Sequence, residues 1–288
     1  MNWATSADEL TQFARTQLFF VGGAPRSGTT WLQQMLASHP DVCCQGEGLF
    51  LNHLAVPLER MMAARSRVIE GKNKQIFGHT GGYPIASADD GEFLLGTAIL
   101  LALRQQTGGK QYRAVGEKTP ENAFFFPRLK RLFPVAKYIA IARDPRDVLA
   151  SAWHFFAQKP AGDQTAAKAE FITTALPSLL DGARAMIAFG QQHPTDYAVV
   201  TYESLLHNPA PELARLFRLL GVSDQADLVE ACVARNRFAA QVRQHASGDG
   251  AFFRKGVAGN WRATFSEDMN QQILRTLGWS FEGFGWKI

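Results

Sequence analysis

A three-layer α/β/α domain built on a central parallel sheet is what this sequence predicts, and three observations predict it. Short runs of apolar, β-branched and aromatic residues alternate with longer amphipathic stretches, the pattern of strands joined by crossover helices. The first such run, Leu18 to Val21, leads into a glycine-rich turn, Gly22 to Gly28, and a helix start at Thr29. Finally, 288 residues with 46% apolar content and no long low-complexity stretch can bury one large core, so 1–288 reads as a single domain.

Each element follows from local pattern. Leu18 to Val21 is wholly apolar, as suits a strand covered on both faces. Thr29 to Ser38 follows as a helix, and a short strand is expected near Val42, after Pro40. Leu49 opens a helical region that ends before the Gly- and His-bearing loop Gly78 to Tyr83. Gly91 to Gln106 is a helix whose apolar segment, Phe93 to Leu103, is expected in the core. Arg113 to Gly116 and Ala136 to Ile141 read as strands separated by a helix from Glu121 to Leu132. A long amphipathic helix begins near Asp163, and Tyr197 to Thr201 is the last strand. The remainder is mainly helical and closes with Ser266 to Leu277. In a sheet of this kind ligands sit at the carboxyl ends of the strands.

Composition narrows the chemistry. Thirty basic against twenty-six acidic residues give a net charge of +4, too mild and dispersed for nucleic acid but suited to small anions. Asp8 and Glu9 lie where a signal peptide carries positive charge, and no apolar run approaches the roughly 18–20 residues that span a bilayer, so a cytoplasmic protein is expected. Cys43, Cys44 and Cys232 form no C-x-x-C pair and no histidine cluster has metal spacing, so neither a disulfide scaffold nor a metal site is expected. The adjacent Cys43 and Cys44 read as small buried hydrophobes.

The turn after the first strand carries the chemistry. Set against the nucleotide-binding pattern G-x-x-x-x-G-K-[ST], Gly23, Gly28 and Thr30 fit, but Thr29 occupies the lysine position and a cation appears earlier, at Arg26. Without the lysine that clamps β and γ phosphates, ATP hydrolysis is disfavoured. Arg26 instead suits the bridging oxygen of one compact transferred group. Backbone N–H groups of Ser27 to Thr30, with the Thr29 and Thr30 hydroxyls, form a P-loop-like cradle for an anion.

At these residues the chain resembles a known family. Pro25-Arg26-Ser27-Gly28-Thr29-Thr30-Trp31 is similar to the 5′-phosphosulfate loop of sulfotransferases that use 3′-phosphoadenosine 5′-phosphosulfate (PAPS). In Tyr138 to Phe156, Arg143 and Ser151 are spaced as in that family's 3′-phosphate site. Ala251 to Phe265 is similar to the C-terminal loop of the cytosolic members, where an Arg-Lys-Gly run, here Arg254, Lys255 and Gly256, wraps the same phosphate. The resemblance implies PAPS as donor and adenosine 3′,5′-bisphosphate (PAP) as product, with no metal required. It further implies that Trp31 stacks on adenine and that Tyr202 lies near it.

Sulfuryl transfer needs a base on the acceptor side and cations on the leaving side. Cytosolic sulfotransferases place a catalytic histidine shortly after a lysine; Glu117-Lys118-Thr119-Pro120-Glu121 keeps Lys118 but has no histidine. Glu47 follows Arg26 by twenty-one residues, the separation of the catalytic glutamate in tyrosylprotein sulfotransferases, so the resemblance makes it the expected base, partly buried to raise its basicity. His53 is the reserve candidate, and His154 could line an acceptor pocket. Arg26 and Lys118 are the expected charge-neutralising pair.

The apolar stretches Leu49 to Leu54, Phe124 to Phe126 and Trp153 to Phe156 suggest a greasy or aromatic acceptor pocket, favouring a small hydroxylated molecule over a glycan or peptide. The family's dimer motif appears only as Arg262-Ala263-Thr264-Phe265-Ser266-Glu267 ending in Gln271, without its apolar and acidic anchors. Two other readings stay open. A nucleotide or small-molecule kinase would share the fold but require Mg²⁺ and the missing lysine, and a catalytically silent nucleotide-binding module would tolerate loss of Glu47 and Lys118.

Overall fold

Five strands, β1 (Gln17–Gly23), β2 (Val42–Cys44), β3 (Ala114–Lys118), β4 (Lys137–Ala142) and β5 (Tyr197–Thr201), pair in the order β2-β3-β1-β4-β5. All four pairings are parallel. The computed structural model describes residues 2–78, 81–157, 162–236 and 258–287. Each expected strand is present, though β3 runs on to Lys118 and β4 to Ala142.

Parallel strands need crossovers, and helices cover both faces of the sheet. Along β1 the side chains alternate: Phe19 and Val21 pack on one face with Leu32, Met35 and Leu36 of α2 (Thr29–Ala37) and with Leu216 and Phe217 of the helix Pro209–Leu219. Leu18 and Phe20 pack on the other with Leu95 and Ile99 of α4 (Ala88–Gln106), Phe126 of α5 (Asn122–Leu132) and Phe189 of α7 (Thr165–Gln192). A third cluster joins Leu149 and Trp153 of α6 (Pro145–Phe156) to Ile172 and Leu176 of α7 and to Trp261, Phe265 and Ile273 near the C-terminus.

Several expectations need correction. The segment Phe93 to Leu103 is helical, but only Leu95, Gly96, Ile99 and Leu103 are buried and Phe93 is 74% exposed, because α4 lies on the sheet by one face. The region after Leu49 is helical as expected, one π-helical turn, Phe50–Leu54, followed by α3 (Ala55–Phe77), of which only Ala55 is fully buried. His53, the reserve candidate for the base, is exposed. An N-terminal helix, α1 (Trp3–Phe13), was not anticipated. Cys43, Cys44 and Cys232 are buried free thiols. Among the described residues, no helix is long and apolar enough to cross a membrane.

Candidate active site

The site forms where three neighbouring strands end. β1 lies between β3 and β4, so the loop after β1 is flanked by the carboxyl ends of both. Each end contributes one cation: Arg26 from the loop, Lys118 as the last residue of β3, and Arg143 just past β4. The first turn of α2 opens on the same loop, with N–H groups that the helix itself cannot use.

Arg26 and Arg143 are coupled. The Arg143 Nη1 donates to the Arg26 carbonyl oxygen at 3.2 Å, and Arg26 Nε donates to Ser151 Oγ at 3.3 Å. The Arg26 guanidinium also lies 4.3 Å from the centre of the Phe155 ring. Burial, and then the like charge of Arg143, hold the Arg26 guanidinium below its ordinary pKa, a cost that a bound anion would relieve. Arg26 has a φ of 71°, a conformation in which a non-glycine residue is strained. Ser27 Oγ is buried with no hydrogen-bond partner among the described residues. Converging guanidiniums, a helix N-terminus and an unsatisfied hydroxyl fit a polyanion.

Opposite lies a second group. Lys118, only 2% exposed, donates through Nζ to Thr30 Oγ1 at 3.2 Å and forms a close ion pair with Glu47. A lysine at a strand end is usually solvated; this one is drawn inward across the sheet edge to the start of α2. The Glu47 side chain is 42% exposed. It rides on a turn with two left-handed residues, Gly46 (φ 73°) and Leu49 (φ 51°). Lys118 N–H holds this turn by donating to the Gly46 oxygen at 3.2 Å.

Beneath that turn lies a buried carboxylate that the sequence alone does not single out. Glu117 points to the opposite face from Lys118 and is 2% exposed. Its carboxylate accepts from Gly48 N–H at 3.2 Å, Thr119 Oγ1 at 2.9 Å and Asn122 Nδ2 at 2.5 Å. Burial pushes its carboxyl up, against the lowering pull of the bonds from Asn122, Gly48 and Thr119. The signal available in the sequence was a charged residue inside a strand that is otherwise buried.

An aromatic corner lies beyond Arg143. Its guanidinium sits 4.3 Å above the Tyr202 ring, and Trp31 meets Tyr202 edge-on with ring centroids 5.4 Å apart. Trp31 Nε1 donates to the Asn236 carbonyl oxygen at 2.9 Å. Gly28, at φ 101°, lets the loop approach Tyr202: a Cβ there would lie 2.7 Å from Tyr202 Cδ2. Thr29, at the first helical position, is buried. Arg254, Lys255 and Gly256 lie outside the described residues.

The helix start Arg143 to Asp147 divides its charges by role. Asp144 caps α6 and pairs with buried Arg146 through Nε at 3.0 Å and Nη2 at 2.7 Å, while Arg143 turns to the site. Asp147 accepts from the backbone N–H groups of Gly259 at 2.6 Å and Trp261 at 3.0 Å, fixing the chain just after the Arg-Lys-Gly run. His154 meets Thr264 Oγ1 at 3.3 Å. Of the expected acceptor-side aromatics, Phe126 and Trp153 are buried in the cores, whereas Phe155 and Phe156 are exposed and Phe155 flanks Arg26. Among the described residues no cluster of His, Cys, Asp and Glu could hold a metal ion.

The chain is 26% identical over 286 residues to the nodulation protein NoeE of Sinorhizobium fredii, covering 90% of this chain and 63% of that protein. It is 31% identical over 129 residues to protein-tyrosine sulfotransferase 1 of Danio rerio, covering 45% of this chain and 33% of the relative. The chain thus spans between a third and two-thirds of the length of these curated relatives. In fold it is similar to mouse sulfotransferase SULT7A1 complexed with PAP, with a TM-score of 0.59 and 17% identity over 96% of this chain and 90% of that one. A model of the sulfotransferase family matches residues 19–226, so the chain belongs to the sulfotransferase family.

Proposed function

We propose that this chain transfers the sulfuryl group of PAPS to a hydroxyl of an acceptor, with Glu47 as general base. The observation that carries the reading is the convergence of Arg26, Arg143 and the α2 N-terminus on one side and the Thr30–Lys118–Glu47 group on the other. The α2 N-terminus and Ser27 to Thr30 hold the 5′-phosphosulfate. Arg143 and Ser151, with Arg254, Lys255 and Gly256, hold the 3′-phosphate, and Trp31 and Tyr202 take the adenine.

Glu47 removes the acceptor proton as the acceptor oxygen bonds to sulfur and the bond from sulfur to the phosphate oxygen breaks. Lys118 and Arg26 offset the charge that builds on that oxygen as PAP leaves. Lys118 already shares its ammonium between Thr30 and Glu47. Donor oxygens seated beside Thr30 would compete for it and release the Glu47 carboxylate to act as a base. The exposed Phe155, whose ring lies against the Arg26 guanidinium, and Phe156, edge-on to Phe155, support an acceptor with an apolar or aromatic body, a small molecule in preference to a glycan or peptide.

The test is calorimetric titration with PAP and, separately, ATP, both with EDTA present, followed by turnover of PAPS against a panel of phenols, alcohols, sugars and peptides. Tight PAP binding with weak ATP binding is expected; preference for ATP would overturn the donor assignment. Arg26→Ala and Glu47→Ala are both expected to abolish turnover while Glu47→Ala still binds PAP. Turnover at the wild-type rate in Glu47→Ala would assign the base elsewhere.

A further inference from the structure

Glu117 is buried at the end of β3 without touching the anion-binding side, and all of its donors belong to chain that builds the Glu47 turn or its support. Gly48 N–H reaches one carboxylate oxygen directly. Thr119 Oγ1 donates to the same oxygen and accepts from Leu49 N–H at 3.1 Å. Asn122 Nδ2 donates to the other oxygen and to the Val21 carbonyl at 3.2 Å, tying the network to the end of β1.

Three donors converge here, and only an ionised carboxylate accepts from all of them without presenting a proton of its own. The turn above needs such a hold. Gly46 and Leu49 both have positive φ, and Leu49 is strained there, so the conformation persists only if its surroundings impose it.

We propose that Glu117 is a positioning residue: its buried carboxylate pins the Gly46–Leu49 turn and thereby sets the Glu47 carboxylate against Lys118 Nζ. The inference rests on Glu47 acting as the base. β3 therefore ends in two residues with divided duties. Lys118 faces the donor on one side of the sheet, and Glu117, on the other, holds the loop that faces the acceptor.

A double-mutant cycle on the full chain tests this, with PAPS turnover and PAP calorimetry measured for wild type, Glu117→Gln, Glu47→Gln and the double variant. A glutamine at 117 keeps the volume but turns an amide N–H₂ toward a donor, so the turn loses one of its holds. Glu117→Gln is expected to lower kcat by about 10–100-fold, the scale of a misplaced reacting group, while PAP affinity stays within about twofold. Because Glu117 acts through Glu47, the double variant is expected to be no slower than Glu47→Gln alone.

If Glu117→Gln does not fold, Thr119→Val, which removes the Leu49 link and one of the three donors to Glu117 but leaves the carboxylate and its Gly48 and Asn122 bonds, is expected to show the same pattern with a smaller loss. Wild-type kcat in Glu117→Gln, or losses that multiply in the double variant, would overturn the inference while leaving Glu47 as base. Wild-type turnover in Glu47→Gln would instead overturn the base assignment, and this inference with it.

Discussion

Gly28 shows how closely the donor loop is fitted to its aromatic corner. Its φ of 101° already excludes ordinary side chains, and a Cβ would meet Tyr202 Cδ2 at 2.7 Å and Ile141 Cδ1 at 3.4 Å. Gly46 is a natural control, since it has φ 73° but nothing within 4 Å of its Cβ position. Both Gly28→Ala and Gly46→Ala carry the backbone cost, about 1–3 kcal/mol for a residue held in such a region. Only Gly28→Ala also displaces Tyr202 and, with it, the ring on which Arg143 rests. PAP affinity is therefore expected to fall at least tenfold in Gly28→Ala and to stay near wild type in Gly46→Ala, as measured by calorimetry. Equal affinities in the two variants would mean that the contact between loop and tyrosine does not shape the donor site.

Among the elements, the sheet is braced at the end away from the site by a three-way ion cluster. Asp196, just before β5, accepts from Lys130 of α5 at 2.6 Å and from Lys137 at the start of β4 at 2.7 Å. Hydrogen bonds from Lys130 and then Lys137 hold its carboxyl below the ordinary value of about 4. A folded-state pKa that is depressed contributes stability above the unfolded value and loses it as pH falls through the folded one. Wild type is therefore expected to lose a component of stability as pH falls below about 4, and Asp196→Asn to lack that component while being less stable at pH 7. Melting temperatures between pH 7 and pH 3 check this; parallel acid limbs for the two proteins would remove Asp196 from the account. These elements were legible in the sequence where local pattern decides them. Tyr197–Thr201 emerges with the bounds expected, and the helix expected over Ser266 to Leu277 runs Glu267–Leu277 with Ser266 as its cap. Legibility fails where a distant partner decides. Glu117 and Lys118 look like charges that end a strand, yet Gly48, Asn122, Thr30 and Glu47 supply their partners from elsewhere in the chain. Arg143, Asp144, Arg146 and Asp147 are one charged run in sequence and three separate jobs in space.

For the whole molecule, the placement of the site decides how ligand binding is felt. Arg26, Lys118 and Arg143 hang from β1, β3 and β4, the three inner strands, whose residues reach into both main cores. Releasing a ligand by local unfolding would mean parting those strands, so binding and global stability are linked rather than separable. At a PAP concentration a hundred times its dissociation constant the added stability is about 2.7 kcal/mol, which for a domain of this size corresponds to a rise in melting temperature of roughly 4–5 °C. Glu47→Ala is expected to show the full rise, because Glu47 faces the acceptor side. Arg26→Ala and Arg143→Ala are expected to show less at the same PAP concentration, in proportion to the affinity they lose. Scanning calorimetry of the three variants and wild type, with and without PAP, reads this directly. A protein that binds PAP by titration but melts at an unchanged temperature would place the ligand on a part of the chain that opens independently of the sheet. Such a result would move the donor site away from the ends of the three inner strands.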